Sequence, residues 1–159
     1  MNRKREIIMK KLAAVLMVIC LCGCVTSPDK PPAGCEDSFV WQSGFMPGGR
    51  ELVELGFAAL MTAEPQVKNQ VKDGAVKGWH LVQEGSLKGA VGELLPLLEK
   101  NPQYAPLALF ALQRLDLEKS LDKCDQDVLL SMFHNIAVYA GARDEDFVST
   151  VADLANSGR

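Results

Sequence analysis

The chain has 159 residues, with 17 basic and 20 acidic side chains and a formal net charge of −3. This length suits a single domain with its own hydrophobic core. The basic residues form no stripe or patch along the chain, which argues against nucleic acid as a partner.

The first 23 residues have the parts of a secretory signal. An apolar run from Leu12 to Cys22 follows a basic head, which consists of Arg3, Lys4, Arg5, Lys10 and Lys11. The run is about half the roughly 20 residues that a membrane-spanning helix needs. The pattern therefore predicts a cleaved export signal, residues 1–23, and the alternatives are a retained transmembrane helix or secretion without a lipid.

The run closes on Leu21-Cys22-Gly23-Cys24, which resembles the lipobox of bacterial lipoproteins. The resemblance implies cleavage before Cys24 and attachment of acyl chains to its sulfur and its new amino group, which together give stable membrane anchoring. Val25 stands where an aspartate often retains such proteins in the inner membrane. The implied location is therefore the periplasmic face of the outer membrane, with the inner membrane as the alternative.

Two cysteines, Cys35 and Cys124, remain besides the lipidated one after cleavage. Because exported proteins fold in an oxidising compartment, we expect these two thiols to form one disulfide. On the chain-entropy model, closing a loop of about 90 residues stabilises the fold by roughly 4–5 kcal/mol. The alternative is that both thiols are buried and unpaired. Two distant cysteines offer too few ligands for a metal site.

The mature chain is more acidic than the whole sequence. Because residues 1–23 contain five of the 17 basic residues and one of the 20 acidic residues, residues 24–159 carry 12 basic and 19 acidic side chains, a net charge of −7. This balance argues against adhesion to anionic lipid, so the acyl chains on Cys24 are expected to make the membrane contact.

A proline-rich tether, residues 24–34, is predicted to connect Cys24 to a helical domain, residues 35–159. Ten residues fully extended reach about 30–35 Å. The domain is predicted to begin with an irregular arm that contains Trp41, Phe45 and Met46. If exposed, these side chains are candidates for contact with a partner, and the alternative is that they cap the core.

Apolar residues at helical spacing predict an all-α fold, a small bundle of five or six short helices. Pro96 is expected to kink or split the third of these, which begins near Ser86. The next is expected to start at Pro102 and to be central, because it is apolar on most sides. The predicted helices cover 50–63, 65–83, 87–98, 102–115, a segment from Cys124 or Asp125 to Gly141, and a last segment capped by Asp144.

Side chains suited to catalysis or metal binding are sparse. His80 and His134 lie in no metal or hydrolase motif. The acidic residues at 122–127 and 144–146 lack the spacing of a calcium loop and are expected to cap helices. The sequence therefore predicts no catalytic residue, no metal and no cofactor.

These features favour a binding protein over an enzyme, namely an adaptor that holds a protein partner at the membrane. Small helical lipoproteins with a disulfide include the pilotins, and this chain is similar to them in size, class and anchoring only. Two alternatives stay open. One is a cell-wall (peptidoglycan) hydrolase or its accessory factor, whose paired carboxylates would meet only in the fold. The other is a phage- or plasmid-encoded exclusion lipoprotein.

Overall fold

The computed structural model describes residues 30–103 and 105–148, and within these ranges the regular structure is helical and no strand is present. The all-α prediction is confirmed. The helices are α1 (Phe39–Gln42), α2 (Gly49–Ala63), α3 (Lys68–Gln83), α4 (Leu87–Glu99), α5 (Pro106–Leu112) and α6 (Lys123–Tyr139). A 3-10 turn, Pro65–Val67, leads into α3, and the chain is again helical at 144–148. The predicted signal, Cys24 and the end of the predicted last helix lie outside the described residues.

Helices α2 to α6 are arranged as a closed ring around one core. Helix α2 packs against α5 and α6, α3 packs against α4 and α6, and α5 also contacts α4. Each large apolar side chain buried in this core contributes roughly 1.5–3 kcal/mol relative to exposure. The fully buried side chains include Phe57, Leu60, Leu94, Leu98, Leu129, Met132, Phe133 and Ile136.

Helix α6 begins and ends where its local sequence predicts. The Asp122 carboxylate accepts a hydrogen bond from the Asp125 N–H at 2.7 Å, and the Asp125 carboxylate accepts one from the Asp122 N–H at 3.2 Å. This reciprocal pair is a capping box, and it starts the helix at Lys123. At the other end Gly141 adopts a φ of +92°, which favours glycine and ends the helix as predicted.

Pro96 does not split α4, so that part of the prediction is wrong, and the alternative, a kink at Pro96, stays a prediction. The helix continues through Pro96 to Glu99. A proline at this position leaves the Gly92 carbonyl without its helical donor, but Gly92 and Pro96 are both exposed on the outer face of α4. Water can therefore hydrate that carbonyl, and the helix keeps its packing on the inner face.

The following helix starts at Pro106 rather than Pro102. The Asn101 amide donates to the Leu97 carbonyl at 2.9 Å, so this side chain caps the end of α4 instead of the start of a new helix. Pro106 takes the first position of α5, where its missing N–H costs nothing.

Two glycines allow helices to approach closely. A Cβ atom added at Gly56 in α2 would lie 2.4 Å from the Cβ of Ala108 in α5. One added at Gly78 in α3 would lie 2.3 Å from Cε1 of Phe133 in α6. Gly78 therefore allows α6 to approach α3 closely.

Candidate functional site

The Cys35–Cys124 disulfide ties the arm to the first turn of α6, as the sequence predicted. The two Cα atoms are 5.7 Å apart, and the bridge joins positions 89 residues apart in the chain. Because Cys35 follows the predicted tether directly, the domain is covalently closed at the point where the tether joins it.

A buried carboxylate, Asp125, reinforces the same junction. It is 2% exposed, and its Oδ1 accepts hydrogen bonds from the Ser38 hydroxyl at 2.5 Å and from the Val40 N–H at 3.2 Å. Ser38 and Val40 stand at the start of α1, so Asp125 caps that helix while it also takes part in the capping box of α6. One side chain therefore orders the starts of two helices.

Two of the three predicted contact residues are in the core. Phe45 is fully buried, and its ring packs so closely against the start of α2 that a Cβ at Gly49 would lie 2.8 Å from it. Met46 is 7% exposed, and its N–H donates to the Val40 carbonyl at 2.9 Å, which turns the arm back on itself. The prediction of a contact surface is therefore wrong for Phe45 and Met46, because the arm closes over the core and carries them inside. Trp41 is half-buried and packs against the core.

An exposed apolar face lies instead on α5, at Leu107 and Phe110. Both side chains are 55% exposed. They are three positions apart and so share one side of the helix. The opposite side packs against α2 through Ala105 and Ala108, which meet Gly56. The expectation that this helix is central is wrong, because one side buries Ala108, Ala111 and Leu112 while Leu107 and Phe110 on the other side are exposed. We call Leu107 and Phe110 the α5 face.

Arg114 borders the α5 face and is held in place by two contacts. Its guanidinium carbon lies 5.0 Å from the centre of the Phe110 ring, within the range of a cation–π interaction. Its Nη1 atom donates to the Gly44 carbonyl in the arm at 3.3 Å. The α5 face therefore adjoins the arm that links the domain to the tether.

The α5 face lies in an unusual stretch of an acidic chain. From Asn101 to Leu115 the only charged residue is Arg114. The exposed positions of this stretch consequently carry apolar or neutral side chains apart from one cation. The absence of solubilising charge over such a length is typical of a surface that is covered by another molecule.

A second set of exposed apolar side chains lies near the end of the described residues. Val138 and Tyr139 at the end of α6 are 47% and 62% exposed, and Val148 is 71% exposed. Val148 is the last described residue, and the 11 residues that follow it, 149–159, lie outside the described part of the chain. The α5 face is therefore the stronger candidate.

The two histidines have different surroundings. His134 stacks on Phe147 with ring centres 4.9 Å apart, and Phe147 also meets the edge of Trp79. His80 is 5% exposed, and its buried Nε2 atom has no hydrogen-bond partner among the described residues. Across the described ranges, no group of three or more His, Cys, Asp or Glu residues could hold a metal ion.

A polar cluster links α2 to α6. The Glu54 carboxylate accepts from the Asn135 amide at 3.1 Å and pairs with Arg50 at 3.6 Å. Arg50 also pairs with Glu51 at 3.3 Å and contacts the Ser131 hydroxyl at 3.5 Å. Burial raises the pKa of Glu54, and the negative charge of Glu51 raises it further. The hydrogen bond from Asn135 and the positive charge of Arg50 lower the pKa and so oppose this shift. Both ion pairs lie within α2, and the hydrogen bonds to Asn135 and Ser131 connect this cluster to α6.

Cys24, the predicted lipidation residue, lies outside the described residues. Among the described helices, none has the length and apolarity that crossing a membrane requires.

No protein-family model, curated protein or solved structure matches this chain.

Proposed function

We propose that this protein is a lipid-anchored periplasmic adaptor that holds a protein partner at the outer membrane through the α5 face. The observation that carries the proposal is the exposure of Leu107 and Phe110 on a rigidly packed helix, within a stretch that contains one charge in an otherwise acidic chain. An exposed aromatic side chain beside an arginine fits the composition of protein interfaces, in which aromatic residues and Arg are enriched.

The anchoring part of the proposal rests on the resemblance of Leu21-Cys22-Gly23-Cys24 to a lipobox. The tether that follows would keep the domain within about 30–35 Å of the bilayer. The disulfide supports this arrangement, because it fastens the arm to α6 at the residue where the tether ends. Force on the tether would therefore act on the whole domain rather than unfold the arm.

The size of the α5 face indicates a contact of modest strength. Since a large aromatic side chain covers about 150–250 Å², a half-exposed Phe110 offers roughly 100 Å², and Leu107 offers a similar area. At about 25 cal/mol per Å², burying both would contribute roughly 5 kcal/mol before the costs of association. Confinement of both molecules at one membrane would compensate for this weakness by raising their effective concentration.

Photocrosslinking in intact cells tests the adaptor proposal. A benzophenone amino acid introduced at Leu107 in the full-length chain should yield an adduct with a single protein. The same amino acid at Val138, which is exposed on α6 but distant from α5 along the ring, should not yield that adduct. The adduct should also disappear when Cys24→Ala prevents anchoring. Equal adducts from both positions, or none from Leu107, would contradict the proposal.

A further inference from the structure

We infer that the partner presents an apolar segment with a carboxylate beside it, and that Arg114 binds this carboxylate while Leu107 and Phe110 bind the apolar side chains. This inference rests on the proposed function, because it specifies the chemistry of the molecule that the α5 face holds.

The position of Arg114 is fixed before any partner arrives. The Gly44 carbonyl holds one end of the guanidinium and the Phe110 ring supports its face, at 3.3 Å and 5.0 Å respectively. A side chain held in this way loses little rotamer freedom when it binds a ligand. A planar guanidinium beside an apolar surface is suited to a carboxylate, which it can bind through two parallel hydrogen bonds.

Arg114 also lacks the acidic neighbour that other arginines of the domain have. Arg50 pairs with Glu51 and Glu54, and Arg143 pairs with Glu145. Within the described ranges, Arg114 forms no salt bridge with any carboxylate. Its charge is therefore available to an acidic group from outside, directly beside the aromatic ring of the α5 face.

The same observations disfavour three other occupants. In a symmetric dimer the α5 face would meet its own copy, and the stretch from Asn101 to Leu115 offers no carboxylate to Arg114. An anionic bilayer would meet the repulsion of an acidic domain. The last described residues lie on the side of α3 and α6, where Phe147 packs on Trp79 and His134, whereas α5 lies between α2 and α4 on the other side of the ring.

The test combines the crosslinker at Leu107 with charge reversal at Arg114. Arg114→Glu should lower the yield of the protein adduct about 10- to 100-fold, the effect expected for loss of a charge-assisted hydrogen bond. Arg143→Glu changes the charge of the domain equally at an exposed site outside α5 and should leave the yield unchanged. Mass spectrometry of the adduct should place the crosslink in an apolar segment that contains an Asp or Glu. Reversal of that residue to Arg should restore the adduct with Arg114→Glu.

The outcomes separate the two proposals. A protein adduct that is equally insensitive to Arg114→Glu and Arg143→Glu, or that maps to a segment without an acidic residue, would overturn this inference and leave the adaptor proposal standing. An adduct with lipid, with a second copy of the chain, or with residues 149–159 of the same chain would overturn both.

Discussion

The close contact between α2 and α5 predicts that adding a single methyl group at Gly56 destabilises the fold. Gly56→Ala would place a Cβ atom 2.4 Å from the Cβ of Ala108, whereas carbon atoms pack at about 3.5–4.0 Å. Since neither Cβ can rotate away, the two helices must separate by more than an ångström. Overpacking of this kind costs about 1–3 kcal/mol. The substitution also removes a helix-interior glycine, which recovers about 1 kcal/mol, so the net loss is expected to be roughly 0–2 kcal/mol.

A matched control isolates the clash from the helix propensity. Gly92 lies inside α4, and a Cβ added there meets nothing within 4 Å, so Gly92→Ala should stabilise the fold by about 0.5–1 kcal/mol. Urea unfolding of both variants, followed by far-ultraviolet circular dichroism, gives the two free energies of unfolding. Their difference should be about 1–3 kcal/mol in favour of Gly92→Ala. Equal free energies would show that α5 is not seated on Gly56, and the orientation of the α5 face would lose its support.

Three further predictions concern stability. Asp125→Ala should lower the free energy of unfolding by about 3–5 kcal/mol, because it leaves buried donors without an acceptor, whereas exposed Asp127→Ala should change it by less than about 0.5 kcal/mol; similar urea midpoints for the two variants would contradict the capping role. Replacement of Cys35 and Cys124 by serine should cost roughly 4–5 kcal/mol on the chain-entropy model, and unfolding that is unaffected by a reducing agent would contradict this. The pKa of Glu54 is raised above 4.5 in the folded state, so folding favours the protonated carboxyl group. The stability gained in this way is complete below pH 4.5 and is lost as the pH rises through the folded pKa. Glu54→Gln should remove this loss, so the difference in free energy of unfolding between the variant and the wild type should change between pH 4 and pH 7. A difference that stays constant over this range would contradict the raised pKa of Glu54.

The helical segments with a clear apolar stripe could be predicted from the sequence. In α6 the stripe of Leu129, Met132, Phe133 and Ile136 is buried as its spacing indicates, and Gly141 ends the helix. These features are local, since periodicity and capping depend on residues within a few positions of one another. The disulfide could also be predicted, because Cys35 and Cys124 are the only cysteines besides Cys24 that remain after the predicted cleavage.

The candidate site could not be predicted in the same way, because it depends on which side of an apolar segment the fold covers. Helix α5 has apolar residues all round, and only its contact with Gly56 decides that Ala108 lies inside and Phe110 outside. The alanine-rich side could have indicated this, since a close helix contact requires small residues on both helices. In the arm, by contrast, the fold buries side chains that the sequence offered as candidates for an exposed contact surface. Phe45 and Met46 lie in an irregular segment without periodicity, and only the fold shows that this segment turns inward.

The N-terminal mass of the native protein, extracted from membranes with detergent, tests the central claim most directly. If the protein is a lipid-anchored adaptor, its first residue is Cys24 and the N-terminal peptide carries the mass of a diacylglycerol and a further acyl chain. A protein that begins at Met1, or one that begins at an unmodified Cys24, would contradict the anchor on which the adaptor function depends.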